Sequence, residues 1–260
     1  MTKRMIKSCL IACVLFLSTV FSSSAENSPL PCLNKKFSIV VHIVKDRAGN
    51  TNVLESDILL AIDTLNSNFT KICVSFEVCE FRMVENFQYD KLKFDEETDE
   101  LIVKNSIKNR INMYFITADE ESPDVCGKAT LGGIAAGGNI YILKRCIGSG
   151  DFTIPHEMGH FFGLSHTFEE PASQIVDGTN CEITGDSICD TPADPYIDGE
   201  NIANYVMNCR FTSEKKDGNG DFYDPDISNI MSYYPCKCDF TNEQYIKMVN
   251  TYLSSNPKNW

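Results

Sequence analysis

His156, Glu157, His160, Gly163 and His166 follow the spacing H-E-x-x-H-x-x-G-x-x-H, and each interval in it has a use in metal chemistry. Residues four apart on a helix lie one above the other, so His156 and His160 present their imidazoles to a single ion. Glu157 sits beside them on the same helix, where its carboxylate can reach water on the metal. A glycine at 163 lets the chain take a left-handed turn and stop the helix. The returning chain then brings His166 to the ion from outside the helix. Three neutral imidazoles leave the fourth tetrahedral position open, which is the catalytic rather than the closed structural arrangement of Zn2+. The chemistry expected is hydrolysis: the ion acidifies its water to a pKa of about 7, and Glu157 removes the proton as general base. The chain has 4 histidines. The fourth, His42, lies in an apolar run and reads as a packed strand residue.

The elements that must position this site are legible in part. Phe37–Val44 is rich in β-branched residues and reads as a buried strand, followed by a turn at Gly49-Asn50. From Ser56 to Phe69, Ile58, Ile62, Leu65 and Phe69 recur at helical spacing. Strands are expected at Val74–Phe81 and Ile111–Thr117, with a polar, acidic connection (Asp95 to Glu100) between them. The stretch Ala129–Gly138 holds four glycines. They argue against a packed central strand and suit either a plain loop or an edge that another backbone approaches closely. A strand at Asn139–Leu143 leads to the zinc helix, which starts near Asp151–Pro155 because proline is tolerated in a first turn. Beyond His166 periodicity fades, until a last helix at Asn242–Leu253 places Tyr245, Met248, Val249 and Tyr252 on one face. This order predicts an upper subdomain over about 37–163 and a lower, irregular one over about 164–260, with the metal between them.

Composition narrows the setting. Lys3, Arg4 and Lys7, the apolar run Cys9–Phe21 and Ser23-Ser24-Ala25 have the layout of a secretory signal peptide over residues 1–25, with a short tail at 26–36. The apolar core is too short for a spanning helix, so no membrane association is expected once it is removed. The net charge of −13 becomes more negative without that basic segment, and such a chain repels nucleic-acid backbones. Ten of the 12 cysteines lie beyond the signal. An even number in an oxidising, extracellular compartment predicts up to five disulfides. Cys73 and Cys79 cannot pair with each other if a strand separates them, because its ends lie roughly 20 Å apart. Cys32 is expected in a disulfide, the alternative being a thiolate that ligates zinc in a latent form.

The layout resembles the metzincins and, among them, the pappalysin (cytophagalysin) family of secreted zinc endopeptidases, over most of Phe37–Trp260. The resemblance rests on Thr153-Ile154-Pro155 with the zinc signature, Thr167-Phe168, Gly185–Pro195, Asn229-Ile-Met-Ser-Tyr233, and Phe240-Thr241-x-x-Gln244. It implies an α+β fold with an upper, mostly parallel twisted sheet, a backing helix and an active-site helix. The lower subdomain would carry a Met-turn at Met231 and the C-terminal helix. It also implies a protein or peptide substrate extended along the glycine-rich edge and a role for Tyr233 in stabilising the oxyanion; the chain is expected to be a monomer. Ca2+ near Asp186–Asp190 is a further expectation. Asp217–Asp221 imitates the start of an EF-hand loop but lacks its glycine and terminal glutamate, and reads as a turn. The competing reading is a catalytically silent relative that acts as a binding module.

Overall fold

Valine and isoleucine dominate Phe37–Val44, and a run apolar on both sides belongs to a parallel strand covered on both faces. The computed structural model describes residues 29–93, 96–148, 150–170 and 173–255. The expected signal peptide at 1–25 lies outside the described residues. In chain order the elements are β1 (Lys35–Val44), α1 (Glu55–Phe69), β2 (Val74–Val84), β3 (Lys91–Leu92), α2 (Glu96–Asn105), β4 (Ile111–Ile116) and β5 (Ala118–Asp119). There follow β6 (Gly127–Ala129), α3 (Gly133–Ala136), β7 (Asn139–Leu143), α4 (Thr153–Phe161), β8 (Val206–Met207), β9 (Arg210–Phe211) and α5 (Asn242–Ser254). Five strands form one sheet in the order β2-β1-β4-β7-β6. All neighbours are parallel except β6, which runs antiparallel to β7 at the edge. The architecture is thus mixed α/β with a mostly parallel sheet and few helices.

Strand side chains alternate between two cores. Ile39, Val41, Ile43, Met113, Phe115, Ile140 and Ile142 face the larger core, with Ile58 and Leu65 of α1, Met158 and Phe161 of α4, and Met248 of α5. Val44, Tyr114, Ile116, Tyr141 and Leu143 face the smaller one, covered by Leu101 of α2. His42 is fully buried on this second side; its Nε2 lies 2.9 Å from Asn112 Oδ1, its ring stacks on Tyr114, and burial lowers its pKa. It is a packed strand residue, as read.

Two expectations need correction. Most of the stretch read as an acidic connection opens α2; a single buried anchor, Leu101, holds a helix whose Val103 stays exposed, too thin an apolar stripe to recognise. The glycine-rich segment is not itself the sheet edge. The edge strand β6 lies just before it. The glycines instead turn the chain through α3, with Gly132 and Gly137 at positive φ (66° and 82°).

The part of the chain after α4 has little regular structure: the β8–β9 hairpin and then α5. Four disulfides are formed: Cys32–Cys73, Cys126–Cys146, Cys181–Cys189 and Cys209–Cys236. Cys79 and Cys238 are exposed free thiols, so the count stops one short of five. Cys73 and Cys79 do not pair with each other, in keeping with strand geometry, and Cys32 is tied to Cys73 rather than offered to a metal. No helix among the described residues is long and apolar enough to cross a membrane.

Candidate active site

Asp151 starts the helix that carries the site. Its carboxylate accepts from the Thr153 backbone N–H and hydroxyl, so the first free donor at the head of α4 is met, and Pro155, which has no N–H, falls in the first turn. His156 and His160 follow one turn apart. The helix then ends at Gly163, whose φ of 93° only glycine adopts readily. The chain reverses there, and His166 arrives beside the other two.

The three rings converge. His166 Nε2 lies 3.3 Å from His156 Nε2 and 3.0 Å from His160 Nε2. The outer nitrogens are pinned: His156 Nδ1–H donates to the Ile230 carbonyl and His160 Nδ1–H to the Leu164 carbonyl, both at 2.7 Å. Those bonds fix the tautomers, so the inner nitrogens carry lone pairs and no proton. Burial keeps the imidazoles below their usual pKa, His166 at about 3, so all are neutral at pH 7. Three lone pairs aimed at one point repel unless a cation sits between them. Zinc at roughly 2.0–2.1 Å from each donor would hold tetrahedral nitrogens roughly 3.3–3.4 Å apart, close to the spacing found. The donor set therefore fits zinc. Among the described residues this is the one group of three metal-capable side chains.

Glu157 is buried beside the trio, and its Oε2 has no hydrogen-bond partner. Burial pushes its carboxyl up to about 8, and the charge of Lys237 opposes that rise. The side chain lies directly against Gly127 of the edge strand. A Cβ on that glycine would stand 2.7 Å from Glu157 Cγ and 2.8 Å from Oε1. The edge strand thus reaches the candidate base only because residue 127 has no side chain. The cleft, about 330 Å³, is walled by Gly127, Ala129 and Leu131 on one side and Tyr233 on the other, with the histidines at its floor.

The floor is supported from below. Met231 is fully buried, and its sulfur packs under α4 at Gly159, where an added Cβ would come within 2.5 Å of it. Asn229 shapes this turn: its Oδ1 accepts from the Met231 N–H, and its amide exchanges two hydrogen bonds with the Gln244 amide. Gln244 in turn completes a capping box with Thr241 at the start of α5. The two separated motifs, Asn229–Tyr233 and Phe240–Gln244, are therefore one buried polar unit. The Tyr233 ring centroid stands 4.7 Å from that of His166 and 5.9 Å from that of His156. Burial raises its pKa, so its hydroxyl stays a donor.

Of the residues singled out from sequence, the structure brings His156, His160, His166, Glu157, Met231 and Tyr233 together. Asp186 and Asp190 are elsewhere and engaged with protein. Asp186 accepts from the Ile188 N–H and Thr191 hydroxyl, and Asp190 caps α5 at the Glu243 N–H, so calcium gains no support. Asp217 accepts from the Asn219 and Asp221 N–H groups, which makes the EF-hand imitation a turn. Sequence reasoning missed Lys237, whose Nζ lies 3.5 Å from His156 Nδ1. Burial pushes it down to about 8, against the pull of Glu157 and Asp151. Its one sequence signal was its place between Cys236 and Cys238.

Residues 138–253 match the family model Peptidase_M43, Pregnancy-associated plasma protein-A. Over those residues the chain is similar to the pappalysin family. An extracellular metalloprotease of Colletotrichum graminicola (strain M1.001 / M2 / FGSC 10212) is 26% identical over 169 residues, covering 58% of this chain and 55% of the relative. The chain thus spans about half the length of the curated relative it matches. Among solved structures, metalloproteinase-II from Bacteroides fragilis aligns at 14% identity with a TM-score of 0.39, over 55% of this chain and 46% of that one. A chaperone–substrate complex aligns at 14% and 0.38, over 50% and 24%. Likenesses this slight carry no argument. The family match starts at Gly138, so β1 to β6 rest on the structure alone.

Proposed function

We propose that this chain is a secreted zinc endopeptidase in which His156, His160 and His166 hold the metal and Glu157 is the general base. The observation that carries the reading is the convergence of three neutral imidazoles, His156 and His160 fixed in tautomer, next to a buried carboxyl with an unsatisfied oxygen. When bound, the ion supplies Lewis-acid polarisation and an acidified water. Glu157 takes the water's proton and hands it to the leaving amine. Tyr233, protonated and beside the histidines, donates to the developing oxyanion. β6 pairs only with β7 among the described strands, and its free edge borders the cleft, where an extended peptide adds a strand.

The reading is metzincin-like: catalytic residues 37–260, an upper part over about 37–163 and a lower part over about 164–260, with the cleft between. Disulfides and the name of the fungal relative support an extracellular setting. The retained glutamate and full ligand set speak against a silent binding module.

Purified protein, refolded with oxidised cysteines and loaded with zinc, is expected to cleave a denatured protein, and a chelator is expected to stop it. Glu157→Ala should lower kcat by about 10²–10⁴-fold with zinc still bound, and Tyr233→Phe by about 10²-fold. Undiminished turnover in Glu157→Ala would remove Glu157 from the mechanism. The absence of stoichiometric metal would remove the reading altogether.

A further inference from the structure

Across Tyr233 from the histidine cleft lies a second cavity of about 280 Å³, lined by Asp151, Thr153, Tyr234, Pro235 and Lys237. Tyr233 borders both spaces, so a residue next to the scissile bond can place its side chain here. The walls are rigid. Tyr234 is fully buried with its hydroxyl donating to Asp194, and Cys236 is tied to Cys209 immediately before Lys237.

The charges in this cavity are unevenly met. Asp151 is engaged in capping α4 through Thr153. Lys237 Nζ has His156 Nδ1 at 3.5 Å, but that nitrogen already donates its proton to the Ile230 carbonyl and offers no lone pair. Among the described residues no carboxylate forms an ion pair with Lys237 within 4.0 Å. A half-buried ammonium without an acceptor, opening on a cavity of side-chain size, is half of a recognition pair. Its complement is a carboxylate.

We propose that this cavity is a specificity subsite in which Lys237 selects a substrate carrying an aspartate or glutamate next to the scissile bond. The inference rests on the peptidase reading above and deepens it. It needs no new chemistry, only an ion pair between the substrate carboxylate and the Lys237 ammonium, formed where Tyr233 separates the two spaces. A free C-terminal carboxylate offers the same chemistry, so the test uses C-terminally amidated peptides alongside free acids.

The experiment follows cleavage of quenched peptides that differ only at the residues flanking the scissile bond, with Glu, Gln or Lys in turn. Wild type is expected to favour Glu over Lys at one flanking position by about 10-fold or more in kcat/KM, amidated or not. Lys237→Met should flatten that preference, and Lys237→Glu should invert it toward Lys. Preference confined to free C-termini, or an acid preference unchanged in both variants, overturns the proposal while leaving the peptidase standing. If no peptide is cleaved, the peptidase reading fails. The subsite is then read by binding of the same peptides to zinc-loaded Glu157→Gln protein. Tighter binding of the Glu peptide, lost in Glu157→Gln/Lys237→Met, upholds it, and equal binding of Glu and Lys peptides overturns it.

Discussion

The sheet region, residues 35–143, and the irregular region, residues 164–241, solve the same problem by different physics. In the first, strands and helices satisfy the backbone, and apolar side chains fill two cores on either face of the sheet. In the second, side chains join isolated backbone turns in meeting the backbone. Asp177, Asp186, Asp194, Asn201, Asp217, Asp226 and Asn229 each accept from the N–H two residues on. These Asx turns replace the ladders of helix and sheet. Buried tyrosines, Tyr205 and Tyr234 among them, fill its small core. The lesson concerns the site. Its helix is held by apolar packing, but the wall facing that helix is held by polar bonds and a disulfide, so the two sides should fail in different ways.

The largest effect is expected in the sheet region. Phe37 is buried among Phe76, Phe162 and Tyr252, and Phe37→Ala should cost about 3–5 kcal/mol in denaturant unfolding. A loss under 1 kcal/mol would mean the core relaxes and the contrast is overstated. Next, replacing both Cys209 and Cys236 by serine opens a link across 27 residues and should cost about 3 kcal/mol. Limited proteolysis should then cut within 200–236 before it cuts the sheet region. A smaller loss, about 1–2 kcal/mol, is expected for Asp194→Asn. That carboxylate accepts from Thr167, Tyr234 and the Tyr196 N–H, and an amide can satisfy only part of the set. Activity should fall further than stability, because Tyr234 adjoins Tyr233.

The smallest effect, and the sharpest on the comparison, is in pH. Burial raises Asp186 from 3.8 to about 7, and it raises Asp194 too. The folded chain holds these protons more tightly than the unfolded one. Their contribution is therefore fully present below the unfolded value and is lost as pH rises from about 4 to about 7. Asp46, in the sheet region, behaves oppositely. Hydrogen bonds from Asn52 and Asn50 hold it at about 2, so its contribution is present above the unfolded value and lost as pH falls through about 2. Melting of Asp186→Asn should gain on wild type as pH rises toward 7, and melting of Asp46→Asn should gain on wild type as pH falls toward 2. Parallel curves in both cases would refute the assignment of these groups.

Much of the sheet region could be read along the chain because apolar periodicity marks its elements: β1, α1 and β7 lie within two residues of their expected bounds, as does α5 near the far end of the chain. α2 was missed because one buried leucine makes no stripe. β6 was not read as a strand because its role depends on pairing with β7, not on its own composition. The histidine trio was legible because helical period and one glycine turn fix it within eleven residues. Gly127 and Lys237 were not, since each approaches the site from a distant segment.

Local spacing alone determined which imidazoles converge: His156 and His160 by one helical turn, His166 by the reversal at Gly163. It also placed a carboxyl beside them. Tertiary structure alone decided which cysteines pair, what floors the ligands and what borders the cleft. Those outcomes depend on segments tens of residues apart meeting in space. Long-range contacts are fixed by the packing of the whole chain, whereas a helical turn is fixed by its own backbone.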